Sequence, residues 1–496
     1  MRRGLYNETN LSMKAPSRVR GCLLWVLLGL ACVGVERPAV SSIAEVLADP
    51  PGKDEPFEES LEKDAAPTTG AVSVDTGRRF QTLEGFGAAV AWFQDRLSGV
   101  VADGLLEFLF PELGLDILRF RNRFERTDKT DEQLSQEVAI FERATRALGH
   151  PPKLLLSSWS PPARLKASGR EKCEGESACT LKKQDGHFVY EAFADWWKRS
   201  LEHYARLGLR PDWISLQNEP DFVPSAWEGC KFTPEETDDF PGYGQALLAV
   251  HKAIAGLPHA PRLLGPETLG IHSERVQSYL AGLDPNLLWG VAHHLYERGP
   301  DSVWDWREPG PESFVDEMEG LKAATDKPTF QTEFSTDDDE GILGGFETAW
   351  LIHETMAVQG AVSFLYWDLI WQGSRGLVSM KGFTPSPRDQ YYSMRHFARF
   401  TDPGYVRVAA DATGEGLLAS AYVAPDDSRL TLVLLNTSQK AMDARIDGGS
   451  FEGVPSQAFV TSYRPEASRR WSEIGALTAG KLRLPARSVA TVVFNR

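Results

Sequence analysis

Long apolar stretches are almost missing from this sequence. The one run of any length, Gly21 to Val35, follows Arg18 and Arg20 and holds fifteen residues. As a helix it would reach about 22 Å, short of a hydrocarbon core of about 30 Å. A stable membrane span is therefore not expected, and residues 1–35 read as an export signal, with Met13 as an alternative start. Gly29-Leu30-Ala31-Cys32 resembles a lipoprotein box, so the chain is expected to be secreted or held at the cell envelope through Cys32. Cysteine is scarce: Cys22, Cys32, Cys173, Cys179 and Cys230 are the full set, none at zinc-site spacing. Once the signal is removed three remain, and export would pair two of them, Cys173 with Cys179 or either with Cys230. Positive charge is in deficit, with 53 Lys and Arg against 69 Asp and Glu. A net charge of -16 leaves no general field to draw the protein to nucleic acid. There is no heptad or fixed-period repeat, and no G-x-G-x-x-G after the first strand candidate, which argues against a dinucleotide-binding open sheet.

What is present divides the chain. Residues 36–70 carry nine acidic and three basic residues with several prolines and almost no aromatics, the composition of a disordered acidic linker. From about residue 80 to about residue 370 short β-rich runs alternate with helical patterns, the signature of a parallel sheet built from βα units. Eight strand candidates can be counted: Leu83 to Val90, Asp116 to Phe120, Lys153 to Ser157, Trp213 to Gln217, Arg262 to Gly265, Leu288 to His294, Pro328 to Thr332 and Ala361 to Tyr366. Between two of them, Phe193, Trp196, Trp197, Leu201, Tyr204 and Leu207 recur at helical spacing. Eight units in about 300 residues predict an α/β fold, a (β/α)8 TIM barrel, over 71–395. Beyond it Leu417 to Val423, Leu430 to Asn436, Ala458 to Arg464, Lys481 to Leu484 and Val489 to Phe494 predict a C-terminal side β-sandwich domain over 396–496. Val72 to Asp75 would add a strand to it, so that 71–80 joins the sandwich.

In such a barrel the reactive groups stand at the C-terminal ends of the strands. Glu219 follows the fourth strand candidate in Asn218-Glu219-Pro220, and Glu333 follows the seventh. Two carboxyls facing each other across the barrel mouth are what glycoside hydrolysis needs, one to protonate the leaving oxygen and one to stabilise or capture the oxocarbenium-like centre. Fourteen Trp are more than a core of this size requires. Trp92, Trp159 and Trp367, each just past a strand, are placed to wall a saccharide cleft. Arg119, on the second strand, is placed to pair with Glu333 or Glu219. His293 and His294 read as a hydrogen-bonded pair rather than a metal site, since no further ligand pattern accompanies them, and Asp337 to Glu340 reads as a solvated loop. Neither a cofactor nor a metal is expected, and the chain is expected to act as a monomer.

Together these residues resemble glycoside hydrolase family 30. Gly85-Phe86-Gly87 is similar to its opening, Ser157-Ser158-Trp159-Ser160-Pro161-Pro162 to its third strand, and His293-His294-Leu295-Tyr296 to its sixth. Gln390 to Val406 resembles the passage into its side β-sandwich, and the likeness spans about residues 72 to 496. It implies Glu219 as acid/base and Glu333 as nucleophile, with net retention and carboxyls about 5 to 5.5 Å apart. An ionised Glu333 is expected to raise the pKa of Glu219. The resemblance also implies Asn218 on the sugar 2-OH and Tyr296, on the same face as His294, donating to Glu333; His294 joins the substrate-binding set. Trp227-Glu228-Gly229-Cys230 looks like the xylan-cleaving branches, so a polysaccharide partner, xylan or glucuronoxylan, is expected. One of Arg121, Arg123, Arg126 or Arg375 would contact an acidic decoration. The alternatives are a β-1,6-glucanase, galactanase or glucosylceramidase of the same family, or a non-catalytic carbohydrate-binding protein.

Overall fold

The computed structural model describes residues 66–99, 103–126, 130–225, 227–297, 312–336, 341–371, 375–381, 384–464 and 468–496. The expected export signal, the expected linker up to residue 65 and the acidic stretch at 337–340 lie outside the described residues. None of the described helices is long and apolar enough to cross a membrane.

Eight parallel strands close into a barrel in chain order: Gly85–Val90, Ile117–Arg121, Lys153–Ser157, Trp213–Ser215, Arg262–Gly270, Gly290–Glu297, Thr329–Glu333 and Ser363–Tyr366. The fourth ends two residues earlier than its apolar run suggests. The fifth runs on past Gly265, because Pro266 to Gly270 still pair with the sixth through two register shifts. Outer helices form where apolar residues recur every three to four positions. Tyr190–Arg206 buries Phe193, Trp196, Trp197, Leu201 and Tyr204 on one stripe.

Period two along each strand builds the barrel in layers. Ile117, Leu155, Trp213, Leu264, Ala292, Phe330 and Leu365 form one buried apolar cluster at its base. Two residues further along the second, third, fourth and sixth strands stand Arg119, Ser157, Ser215 and His294, all buried. The floor of the site is therefore dry and its upper layer polar.

The glycines of the first strand serve close approach. Gly85 has φ +123°, and a Cβ there would lie 2.6 Å from the Asp116 carboxylate that accepts the Phe86 N–H. Gly87 pairs with Ile117, and its Cβ would fall 2.4 Å from the Ile117 carbonyl oxygen and 2.7 Å from Ile117 Cβ. Gly87→Ala is expected to destabilise the barrel by about 1 to 3 kcal/mol through overpacking. A lower thermal unfolding midpoint checks this, and an unchanged midpoint would show that the strands part freely.

The second domain is a nine-stranded sheet around its own core of Val72, Val408, Leu432, Leu434, Val460, Val492 and others. Its strands include Val406–Thr413, Met442–Asp447 and Arg469–Gly475 beside those expected. The first strand of the chain, Thr68–Thr82, runs antiparallel to Val406–Thr413 and parallel to Met442–Asp447. The linker expected to end at residue 70 thus gives way to a strand at Thr68. Helix Asp389–Ala398 crosses the boundary expected between 395 and 396 and ties the two domains together. His396 Nδ1 and Nε2 lie 2.9 and 2.7 Å from the hydroxyls of Thr491 and Thr461, and Ser393 Oγ lies 2.6 Å from Tyr463 Oη. Cys173 and Cys179 form a disulfide, and Cys230 is a buried free thiol.

Candidate active site

Three carboxylates converge above the polar layer, each delivered by an irregular backbone. After Ser215 the chain leaves the sheet. Asn218 N–H then donates to Ser158 O at 2.7 Å, Glu219 N–H donates to Glu267 O at 3.0 Å, and Glu219 sits at φ +48°. On the seventh strand a register shift after Gln331 sets Glu333 opposite His294. Simple alternation from Phe330 would have turned Thr332 inward instead. On the fifth strand Glu267, at φ +65°, follows the same device. Left-handed backbone at two adjoining non-glycine residues is strain of about 1 kcal/mol or more each, and such strain clusters at functional sites.

Arg119 and His294 lie among these groups. Arg119 Nη1 donates to Glu333 Oε2 at 2.5 Å, Nη2 to Asn218 Oδ1 at 2.6 Å, and Nε to Ser157 Oγ at 3.2 Å. Its Nη2 is also 3.0 Å from Glu267 Oε1. His294 Nδ1 is 3.0 Å from Glu219 Oε1, and its Nε2 is 3.9 Å from both Glu267 Oε1 and Glu333 Oε2. Tyr296 Oη donates to Glu333 Oε1 at 3.1 Å. Donor atoms of Glu219, His294 and Glu333 all lie within 4.8 Å of one another.

Burial sets the protonation states. It pushes the Glu219 carboxyl up to about 7, with His294 pulling the other way and the Glu333 charge adding a smaller upward push. Glu333 thus acts in the expected direction, and burial is the larger cause. Burial works against charge on His294, but the carboxylates of Glu333, Glu219 and Glu267 outweigh it and lift its pKa to about 9. Burial likewise disfavours the Glu267 carboxylate, yet Arg119 first and then His294 hold it down at about 2. A further cation here would meet Arg119 and an imidazolium, so the cluster is suited to a proton and a sugar rather than a metal ion.

The aromatic groups gather beside Arg119. Trp92 lies 5.4 Å from Trp367, 6.1 Å from Trp159 and 6.1 Å from Trp371, ring centre to ring centre. Asp368 accepts the Ala91 and Ile370 N–H groups at 3.3 Å each, which pins the segment bearing Trp92 against the end of the eighth strand. Trp159, expected as a cleft wall, is 2% exposed and lies under the Arg119 guanidinium at 4.5 Å, so it backs the wall instead. Arg119 and His294, expected to touch substrate, are 0% exposed and work behind the carboxylates. The reading of His293 and His294 as one structural pair holds only for His293, which bonds the His294 carbonyl and Gln359. Sequence reasoning missed Glu267, Ser157, Asp368 and Trp371. Glu267 had a signal, since it stands just past the fifth apolar run.

Residues 404–492 match the glycosyl hydrolase family 30 beta sandwich domain. The barrel alone is shared by many chemistries, and it is this side domain joined to it, with a carboxylate at the ends of the fourth and seventh strands, that carries the likeness. Along most of its length the chain is similar to glycoside hydrolases of family 30. Over 446 residues it is 24% identical to glucuronoxylanase XynC of Bacillus subtilis, covering 86% of this chain and 92% of that one. Over 332 residues it is 23% identical to the lysosomal acid glucosylceramidase of Mus musculus, 62% of this chain and 61% of that one. A family 30 subfamily 8 xylanase, Xyn30A of Clostridium acetobutylicum, shares its fold with a TM-score of 0.64 at 22% identity, over 86% of this chain and 100% of that one. Glu219, Glu333, Arg119 and His294 thus lie within one buried network.

Proposed function

We propose that this glycoside hydrolase is an exported, retaining endo-β-1,4-xylanase acting by double displacement. The observation that carries the reaction type is the approach of the Glu219 and Glu333 carboxyls to within 4.8 Å, the spacing of retaining rather than inverting pairs. Glu333 attacks the anomeric carbon as the glycosidic bond breaks, and Glu219 gives its proton to the departing oxygen. Water then gives a proton to Glu219, its oxygen attacks the same carbon, and the Glu333 carboxylate leaves. Arg119 and Tyr296 hold one oxygen each of Glu333, so its attacking direction is fixed before substrate arrives. Asn218 has its carbonyl oxygen committed to Arg119, which turns its amide N–H groups toward the sugar 2-OH.

Xylan as substrate is supported by the likeness to a glucuronoxylanase along most of both chains. The basic residues past the second strand do not support an acidic-branch reader. Arg123 pairs with Glu137 at 2.7 Å, Arg126 with Glu171 at 3.1 Å, and Arg121 and Arg126 both meet Glu228. With the charges of these three spent internally, backbone contacts are expected to carry recognition, and Arg375, past the eighth strand, is the one of the four to replace in testing for an acidic-branch contact. Export is supported by the leader and by the Cys173–Cys179 disulfide, a bond of oxidising compartments. The second reading is a glucosylceramidase, favoured by the likeness to the mouse enzyme.

The test incubates the protein with glucuronoxylan, linear xylan, β-1,6-glucan and glucosylceramide. Release from both xylans is expected, and the first anomer seen by proton NMR should be β. Release from glucosylceramide alone would replace the substrate assignment, and a first-formed α anomer would overturn retention.

A further inference from the structure

Glu267 is a third carboxylate in the site, fully buried, with a geometry that the two-carboxyl reaction does not call for. Its Oε1 lies 3.0 Å from Arg119 Nη2 and 3.9 Å from His294 Nε2, and it accepts the Ser157 hydroxyl at 3.1 Å. Its main-chain oxygen holds the Glu219 N–H at 3.0 Å. Its Oε2 and the His294 Nε2 are both buried without a hydrogen-bond partner. It therefore touches, through side chain or backbone, a group bound to each of the other two carboxylates.

Charge counting shows what this position does, given the double-displacement reading on which the inference rests. Before the first step the cluster holds Arg119 and His294 as cations, Glu333 and Glu267 as anions, and Glu219 protonated. After it, Glu333 is esterified and neutral while Glu219 is ionised. The two cations are balanced in both halves only because one anion never changes. We propose that Glu267 is a positioning residue, a fixed counter-ion that keeps Arg119 and His294 in place while the site's other negative charge passes between Glu333 and Glu219. Its strong pairing with Arg119 keeps it ionised throughout. The remaining groups facing it are the Ser215 hydroxyl, Tyr243 from the neighbouring helix and the Glu219 backbone. His294 is faced by Glu219, Glu333, Tyr296 and its neighbour His293.

The experiment follows the His294 ring nitrogens by NMR in histidine-labelled full-length protein, assigned by loss of the signal in His294→Gln. Glu267→Gln is expected to lower the pH at which His294 titrates by about 1 or more, the effect of removing one close opposite charge. Glu267→Asp, which keeps the charge, should leave it nearer the wild-type value, and this variant answers the question if the Gln variant fails to fold. On whichever glycan the wild type cleaves, Glu267→Gln should lose about 10-fold to 100-fold in kcat with a smaller change in KM. The NMR readout needs no substrate, so it stands even if the xylan assignment fails. An unchanged His294 titration in folded Glu267→Gln, or equal loss of kcat in the Asp and Gln variants, would overturn the proposal.

Discussion

Glu333→Gln should reduce kcat on the order of 10⁴-fold or more, because an amide cannot form the glycosyl ester and no other group can take over. Its isosteric shape matters to the interpretation. Arg119 loses its 2.5 Å contact to a carboxylate but keeps Glu267 at 3.0 Å and Asn218 at 2.6 Å. The buried guanidinium is not left uncompensated, which would otherwise cost about 3 to 5 kcal/mol. The fold should survive, and sugar binding should remain within a few-fold of wild type by calorimetry with a xylo-oligosaccharide. Turnover followed by reducing-sugar release decides the matter. Residual activity within about 100-fold of wild type would remove Glu333 from the role of nucleophile, and loss of binding along with turnover would mean that the substitution had disturbed the aromatic wall instead.

The architecture was legible because period two and period 3.6 are both visible in apolar residues. The third strand, Lys153–Ser157, was read to the residue. The apolar floor and the polar layer two positions above it follow from the same alternation, Ile117 to Arg119, Leu155 to Ser157, Ala292 to His294. Where the backbone breaks that alternation the reading ran out. Glu267 lies beyond Pro266 in a stretch whose pairing slips twice, and a local pattern carries no sign of a slip that depends on the neighbouring strand. Strands Val406–Thr413 and Met442–Asp447 were missed for a related reason. They include Asp411, Asp443, Arg445 and Asp447, which look like turn chemistry in sequence and are merely the outward face of a sheet. The paired arginines after the second strand show the opposite limit. Arg121, Arg123 and Arg126 look free when counted along the chain, but Glu137, Glu171 and Glu228, which neutralise them, come from elsewhere in sequence.

Glu219→Gln should act on one half of the reaction more than the other. With a natural glycan the departing alkoxide needs a proton, so kcat/KM should fall about 10² to 10⁴-fold. With an activated aryl glycoside the leaving group needs no proton, so formation of the glycosyl-enzyme should be little slowed. The second step still lacks its base, and KM should fall as the intermediate accumulates. The pH profile adds an independent sign. An acid must be protonated to act, so wild-type kcat/KM is present at low pH and is lost as pH rises through the Glu219 value of about 7. That position is high for a carboxyl because the apolar layer beneath it and the closed barrel wall exclude water, and it would lie higher still without the His294 N–H at 3.0 Å. In Glu219→Gln the limb near pH 7 should vanish for the activated substrate. If the same limb persists in the variant, the titrating group is another, and His294, next to lose a proton as pH rises toward 9, becomes the group to replace.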